Sequence, residues 1–212
     1  MDCPLCSNGT AEAFVRWHDR DYLRCRTCRL IWLTPEQRPD AMAERAYYAT
    51  HENDECDQGY RRFLGRLTEH LIPQLAAGAT GLDYGCGPGP ALAGMLREHG
   101  FTMQTWDPLF APDPAPLQQQ HDFVTCTETA EHFHHPGAEF ERLNSLLRPG
   151  GLLGLMTSFP PPAEDFPGWH YVRDPTHVCF YGPETLGWIA ERHGWRLEIP
   201  VKNVAIFRKG RG

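Results

Sequence analysis

The stretch that decides the fold is LDYGCGPG at residues 82–89, followed by PALAGMLREH at residues 90–99. The first part predicts a short buried strand over 81–84, and the second a helix with its apolar face at Leu92, Met95 and Leu96. Strand, glycine turn and helix form half of a βαβ unit. Glycines let the backbone approach a ligand closely, and the helix N-terminus offers free N–H groups to an anion. The stretch therefore predicts a nucleotide-like ligand.

The same alternation continues toward the C-terminus. Further strands are predicted at 101–106, 123–126, 152–156, 195–199 and 203–208, and further helices at 60–75, 137–147 and 183–193. Strands alternating with helices predict an α/β fold, a Rossmann-like doubly wound and mostly parallel sheet covered on both faces. Residues 108–120 contain four prolines and three glutamines. They predict a loop that leaves the sheet a strand short or irregular.

Four cysteines near the N-terminus form two CxxC pairs, separated by 18 residues: Cys3, Cys6, Cys25 and Cys28. Paired CxxC motifs at this distance predict a zinc ribbon with a closed, structural metal shell. Short strands at 11–18 and 21–24 belong to it. We therefore divide the chain into a zinc-ribbon module at 1–38, a linker with a short helix at 39–57, and a ligand-binding domain at 58–212.

The other four cysteines, Cys56, Cys86, Cys126 and Cys179, lack ligand spacing and are predicted to behave as small apolar residues. Residues 1–38 carry six Arg against five Asp and Glu, and four thiolates with one Zn²⁺ would remove two more units of charge. This weak charge favours a docking or capping module, with a surface for a protein partner, over a nucleic-acid contact.

Charge and hydropathy limit the remaining functions. The chain of 212 residues has 20 Lys and Arg against 27 Asp and Glu, a net charge of −7, which disfavours binding to nucleic acid and favours a small-molecule partner. It has no apolar run of about 18 residues, as a membrane span requires. The N-terminus begins Met-Asp-Cys-Pro without the features of a secretory signal, so we expect a cytoplasmic protein.

Two classes of nucleotide cofactor use a glycine turn of this kind. The dinucleotide fingerprint GxGxxG needs a small residue where this chain has Pro90, so a nicotinamide cofactor is the second choice. Asp107 lies 22 residues after Gly85, at the end of the second predicted strand, where a carboxylate can accept hydrogen bonds from ribose hydroxyls. Both cofactor classes require that residue.

The chain resembles the class I S-adenosylmethionine-dependent methyltransferases over about residues 58–208. The similarity is carried by LDYGCGPG at 82–89, by ETAEH at 128–132 and by LLRPGGLL at 146–153, in the order of the family's motifs. It is closest to bacterial methyltransferases with an N-terminal four-cysteine zinc module, some of which act on sugars or other metabolites.

The resemblance implies that the glycine turn contacts the methionine part of the cofactor, that Asp107 holds the ribose, and that Asp83 orders the loop. Thr127 and Glu128 would approach the adenosine or the acceptor. Leu109 and Phe110 are candidates for packing on the adenine, because the shortened segment after Asp107 lacks the family's usual adenine contact. The predicted cofactor-binding set is Asp83, Gly85, Cys86, Gly87, Gly89, Asp107, Pro108, Leu109, Thr127 and Glu128.

The acceptor side is predicted at WHYVRDPTHVCFY, residues 169–181. Loops beyond the carboxyl ends of parallel strands bind ligands in open α/β sheets, and neutral imidazole titrates near pH 7. We therefore predict His170, His177 and Tyr181 as catalytic residues, with a histidine as base; the alternative is that they only pack the loop. A second group, His132, His134 and His135, is assigned to a helix entry in preference to a metal site.

These observations predict an enzyme, a methyltransferase that moves a methyl group from S-adenosylmethionine to a small polar metabolite, either a sugar or a carboxylate-bearing acceptor. One alternative is an RNA methyltransferase that recognises its substrate through the zinc ribbon. A second is a non-catalytic, cofactor-binding partner protein, and a third is a nicotinamide oxidoreductase.

Overall fold

The protein is described by a computed structural model that covers residues 1–48 and 57–211. The α/β fold with a mostly parallel sheet is confirmed. The elements in chain order are β1 Ala11–Trp17, β2 Arg20–Cys25, β3 Ile31–Leu33, α1 Ala41–Tyr48, α2 Gln58–Leu71, β4 Thr80–Tyr84, α3 Ala91–Glu98, β5 Thr102–Trp106, β6 His121–Thr127, α4 Pro136–Leu146, β7 Leu147–Met156, β8 Cys179–Phe180, α5 Pro183–His193, β9 Arg196–Val201 and β10 Val204–Arg208. Residues 49–56 of the predicted linker, Cys56 among them, lie outside the described residues.

The main sheet has six strands in the order β5-β4-β6-β7-β10-β9. The pairs from β5 to β7 are parallel, whereas β10 is antiparallel to both of its neighbours. Residues 108–120 are all described, and apart from a 3₁₀ turn at Ala115–Gln118 they hold no helix or strand. The prediction of a loop at this point is therefore confirmed, and β5 forms the edge of the sheet.

Side chains alternate between the two faces of the sheet, as the two-residue period of a strand requires. Phe123 packs with Leu67 and Leu96 of α2 and α3 on one face. Its neighbour Val124 packs with Phe140 of α4 on the other. The sheet is thus covered on both sides, which leaves the ends of its strands as the place for a ligand.

The N-terminal segment is attached to the main domain by a second sheet in the order β1-β2-β3-β8. Within it, Ile31 pairs with Phe180 and Trp32 with Cys179, although these residues are far apart in sequence. Trp32 is fully buried in the same core cluster as Phe180 and Val178. Neither β3 nor β8 was predicted, because strands of three and two residues carry no usable period.

None of the described helices combines the length and the apolar composition that crossing a bilayer requires.

Candidate active site

A cavity of about 900 Å³ opens at the carboxyl ends of β4, β5 and β6. Its walls come from the turns that follow these strands and from the segment before β8. All ten residues of the predicted cofactor-binding set line it: Asp83, Gly85, Cys86, Gly87, Gly89, Asp107, Pro108, Leu109, Thr127 and Glu128. Phe110, the second candidate for adenine packing, lines it too. The structure therefore brings together residues that span 46 positions of the sequence.

The glycine turn is fixed by close contact with the turn that follows β6. Gly85 has φ +77°, and a Cβ at this position would lie 2.2 Å from Cγ2 of Thr129. The Thr129 hydroxyl in turn donates to the Gly85 carbonyl at 3.1 Å. Only glycine meets both requirements, so glycine at position 85 is what allows the turn to pack this closely on Thr129.

Asp107 joins the glycine turn to the loop after β5. Its buried carboxylate accepts hydrogen bonds from the amides of Gly87 at 3.0 Å, Leu109 at 2.8 Å and Phe110 at 3.0 Å. A carboxylate offers about four lone-pair positions, so about one remains for a ligand. Asp107 thus organises two loops of the cavity in addition to its predicted contact with a ribose.

Asp83 lies beneath the glycine turn and is 3% exposed. Burial raises the pKa of its carboxyl to about 6, even though the Thr125 hydroxyl, which donates to Oδ1 at 2.7 Å, favours the charged form. This hydrogen bond ties Asp83 to the neighbouring strand β6, and the role in ordering the turn that the resemblance implies stays a prediction.

Two carboxyl groups meet at the side of the cavity opposite the glycine turn, where Glu128 lines the wall and the fully buried Glu131 lies behind it. The Tyr171 hydroxyl contacts the carboxylates of both Glu128 and Glu131, and the Thr157 hydroxyl donates to Oε2 of Glu131 at 3.0 Å. Burial, with the charge of Glu131, raises the pKa of Glu128 to about 9; burial also raises that of Glu131. Glu128 has φ +48°, a conformation that is strained for a residue other than glycine.

Two imidazoles lie beside this carboxyl pair. His177 Nε2 lies 4.0 Å from Oε1 of Glu131 and 3.7 Å from Oδ2 of Asp174, while its Nδ1 is 2.7 Å from the Tyr171 carbonyl oxygen. His132 contacts His177 ring to ring at 4.8 Å, and burial lowers the pKa of His132. Both rings line the cavity.

Of the three predicted catalytic residues, the structure places only His177 at the cavity. His170 is solvent-exposed and, among the described residues, is not part of the cavity wall. Tyr181 is fully buried, and its hydroxyl donates to the Ala130 carbonyl at 2.9 Å. The chain turns sharply between 170 and 177, so residues that are neighbours in sequence point to different surroundings.

Helix α1, predicted as part of a linker, closes one side of the cavity. Glu44 lies 2.7 Å from Nε2 of His134, and the Tyr48 ring packs edge-on against His132 at 5.2 Å. Glu44 and Tyr48 both line the cavity. Sequence reasoning assigned no site role to this helix, because its short pattern carries no ligand motif.

The four N-terminal cysteines converge on one point. The Sγ atoms of Cys3 and Cys28, and those of Cys6 and Cys25, are 3.5 Å apart, and all four lie within 4.8 Å of one another. Four thiolates around a tetrahedral zinc ion at about 2.3 Å have their sulfurs about 3.8 Å apart. The cluster therefore fits a zinc ion.

Comparison with known proteins agrees with this geometry. A family model described as a methyltransferase domain matches residues 55–198. No curated protein matches the chain.

Many solved structures share the fold. Among them, an O-methyltransferase family protein from Burkholderia thailandensis is 16% identical, with a TM-score of 0.56 over 83% of this chain and 65% of its own, so this chain spans less than two thirds of that relative. A SAM-dependent methyltransferase from Archaeoglobus fulgidus is 18% identical, with a TM-score of 0.54 over 70% of this chain and 94% of its own.

The third is 1,6-didemethyltoxoflavin-N1-methyltransferase from Burkholderia thailandensis, with 1,6-didemethyltoxoflavin and S-adenosylhomocysteine bound. It is 16% identical, with a TM-score of 0.51 over 94% of this chain and all of its own. At these identities the three structures establish the fold.

Proposed function

The chain belongs to the methyltransferase domain family, and we propose on that basis that it transfers the methyl group of S-adenosylmethionine to a hydroxyl group of a small polar metabolite. The observation that carries the proposal is that one continuous cavity runs from the glycine turn to the wall that Glu128 lines. Its volume of about 900 Å³ is at the upper end for ligand sites, which suits a cofactor and a small acceptor side by side.

The cofactor half of the cavity is the part that the glycine turn and Asp107 form. S-adenosylmethionine supplies a methyl carbon bound to a positively charged sulfur. Gly85 and Gly87 leave the backbone accessible to the methionine part, the remaining lone pair of Asp107 accepts from a ribose hydroxyl, and Leu109 and Phe110 cover the adenine. Cys86, Gly89, Pro108 and Thr127 complete the enclosure, and Asp83 supports it from below.

The charge of the lining favours a hydroxylated acceptor, such as a sugar, over a carboxylate-bearing one. Arg142 is the single Lys or Arg among the described lining residues. The lining also holds the carboxylates of Glu44, Asp83, Asp107, Glu139 and Asp174, whereas Glu128, with its pKa raised to about 9, is protonated at pH 7. An anionic acceptor would meet the negative charges of these carboxylates, whereas hydroxyl groups can donate to them. In the toxoflavin methyltransferase, the same fold also holds a small molecule beside S-adenosylhomocysteine.

His177 is the residue that we propose activates the acceptor. Methyl transfer from a sulfonium needs alignment in line with the breaking bond, and a base where the nucleophile loses a proton. His177 has Nδ1 against a backbone carbonyl oxygen at 2.7 Å, and Nε2, 3.7 Å from Oδ2 of Asp174, is the ring nitrogen that we propose acts, in the simplest case as the base.

The N-terminal cysteines Cys3, Cys6, Cys25 and Cys28 are proposed to hold one structural zinc ion. Four thiolates leave no open position on a tetrahedral ion, so the site stabilises the fold and takes no part in the chemistry.

The experiment that tests this function is transfer of a labelled methyl group from S-adenosylmethionine to a panel of sugars and other hydroxylated metabolites. We expect one class of acceptor to be labelled, and His177→Asn to reduce transfer at least about 100-fold while affinity for S-adenosylhomocysteine is retained. Full transfer by His177→Asn would remove its proposed role, and labelling of RNA alone would replace the acceptor class.

A further inference from the structure

The side of the cavity formed by Glu128, with Glu131 and Tyr171 behind it, is here termed the acceptor wall. Three side chains at this wall converge in the way that ligands of one ion do. Glu131, His132 and His177 each present a ligand atom, and these atoms lie within 4.8 Å of one another. We propose that Glu131, His132 and His177 bind a divalent cation, and that its open coordination positions hold the hydroxyl oxygen of the acceptor. Binding of the ion stands on these residues alone; its task in holding the acceptor rests on the proposed function.

Both imidazoles are held in the orientation that metal ligation requires. Nδ1 of His132 lies 3.0 Å from the Thr176 carbonyl oxygen, and Nδ1 of His177 lies 2.7 Å from that of Tyr171. A carbonyl oxygen only accepts, so Nδ1 carries the proton in each ring and Nε2 carries the lone pair. Metal-binding histidines are typically fixed in this way by a hydrogen bond from the other ring nitrogen.

The carboxylate of Glu131 is oriented by a second set of contacts. It is fully buried, and it accepts from the hydroxyls of Tyr171 and Thr157, which use about two of its four lone-pair positions. The others remain for an ion. Such supporting donors around a ligand carboxylate are characteristic of metal sites.

The charge at this wall also favours a cation. Glu131 and Glu128 share the neutral Tyr171 hydroxyl, and Asp174 lies close to His177. Within residues 1–48 and 57–211, neither Glu128 nor Glu131 forms an ion pair with a Lys or Arg. Buried carboxylates are costly without a compensating positive charge, and a divalent ion would supply it.

The geometry selects the kind of ion. Two ligands of one ion at about 2.1 Å lie roughly 3.0–3.5 Å apart, so binding would draw His177 Nε2 and Glu131 Oε1, now 4.0 Å apart, closer by up to about 1 Å. Two imidazoles and one carboxylate suit Mn²⁺, Fe²⁺, Co²⁺ or Zn²⁺ and leave positions open. Since both rings line the cavity, the open positions face the acceptor.

Such an ion would change how His177 acts. An oxygen bound to a divalent cation loses its proton far more readily than a free hydroxyl. His177 would then act on the acceptor through the ion that it holds, and the released proton would pass to the carboxylate of Asp174, which lines the cavity with Oδ2 3.7 Å from His177 Nε2. The sequence grouped His132 with His134 and His135. In the structure His132 lies beside His177, whereas His134 contacts Glu44.

The test is a titration of the full-length, zinc-loaded protein with Mn²⁺, followed by electron paramagnetic resonance, and with Co²⁺, followed by visible absorption. Mn²⁺ prefers oxygen and nitrogen ligands over thiolates, so the four-cysteine cluster does not compete for it. We expect one saturable Mn²⁺ site per chain. His132→Ala, His177→Ala and Glu131→Gln should each weaken it at least about tenfold.

The matched control is His135→Ala, which removes an exposed histidine from the rim of the same cavity and should leave Mn²⁺ affinity unchanged. His177→Ala should keep its affinity for S-adenosylhomocysteine, which would show that this variant is folded. The test then rests on His177→Ala even if Glu131→Gln fails to fold. The absence of saturable binding of both metals below about 1 mM, or equal affinity in His177→Ala, overturns the proposal. If the wild-type protein binds Mn²⁺ but not S-adenosylhomocysteine, the proposed function is removed and the metal site remains.

Discussion

Asp83 and Gly85, beside and within the glycine turn, should each affect the stability of the protein measurably. Gly85 is required by its positive φ and by the contact with Thr129, whereas Gly94 lies in the middle of α3 with open space where a Cβ would be. Asp83 is a buried carboxyl whose pKa is displaced upward. The sequence singles out Asp83 and Gly85, and the structure adds that Gly85 is constrained whereas Gly94 is not.

Gly85→Ala should lower the unfolding free energy by about 1–3 kcal/mol, because alanine is strained at this φ and its Cβ would clash with Thr129. Affinity for S-adenosylhomocysteine should fall with it. Gly94→Ala is the control: an alanine inside a helix should stabilise by up to about 1 kcal/mol and leave affinity unchanged. Denaturant unfolding and calorimetry measure both effects, and equal behaviour of the two variants would show that the turn is not fixed as described.

Asp83 predicts a specific dependence of stability on pH. Because its pKa is raised to about 6 in the folded protein, from 3.8, folding disfavours the charged form, and the unfolding free energy should fall as pH rises from about 4 to 6. Asp83→Asn keeps an acceptor for Thr125 without the charge. In the cofactor-free protein it should be more stable than wild type above pH 6, by up to about 3 kcal/mol, and lose that advantage near pH 4.

The control for that measurement is Asp122, whose pKa is lowered. Burial opposes this shift, but hydrogen bonds from Thr80 and the Arg148 side chain outweigh it. Its contribution to stability is present at neutral pH and is lost as the pH falls, so Asp122→Asn should change the pH profile in the opposite direction. Profiles of the same sign for both variants would contradict the assignment.

At the scale of elements, the four-cysteine segment is connected to the acceptor wall by two short strands. Cys28 lies three residues before β3, and the Leu33 amide donates to the Val178 carbonyl at 2.9 Å. The Val178 amide donates to the Glu131 carbonyl at 2.8 Å, and Val178 follows His177 directly. The proposed zinc site thus supports the loop that carries His177.

Removal of zinc by a chelator should therefore loosen this connection. We expect the amides of Leu33 and Val178 to exchange with deuterium at least about tenfold faster in the zinc-free protein, because local opening at β3 and β8 becomes easier. Leu82 and Val124, which pair in the centre of the parallel sheet, serve as internal references and should change little. Unchanged exchange at Leu33 and Val178 would show that the segment does not support the wall.

For the whole molecule, local patterns predicted most elements and the residues that line the cavity around the glycine turn. The glycine turn and Asp107 follow adjacent strands, so strand order alone brings them together. Of the three residues predicted as catalytic, only His177 lines the cavity, because His170 and His177 share one segment and only its folded path separates them. The pairing of β3 with β8 joins residues that are far apart in sequence and depends on the burial of Trp32 and Phe180, which no local pattern specifies.

Binding of S-adenosylmethionine in the cavity at the carboxyl ends of β4, β5 and β6 is the step on which the proposed function depends. The decisive experiment is a calorimetric titration of the zinc-loaded protein with S-adenosylhomocysteine, with NAD in parallel. We expect saturable binding in the micromolar range for S-adenosylhomocysteine alone, weakened at least about tenfold in Asp107→Ala through loss of a charge-assisted hydrogen bond. Asp113→Ala, which removes an exposed carboxylate from the same loop, should bind like wild type. Binding of NAD alone, or equal affinity in Asp107→Ala, would show that the cavity is not this cofactor site.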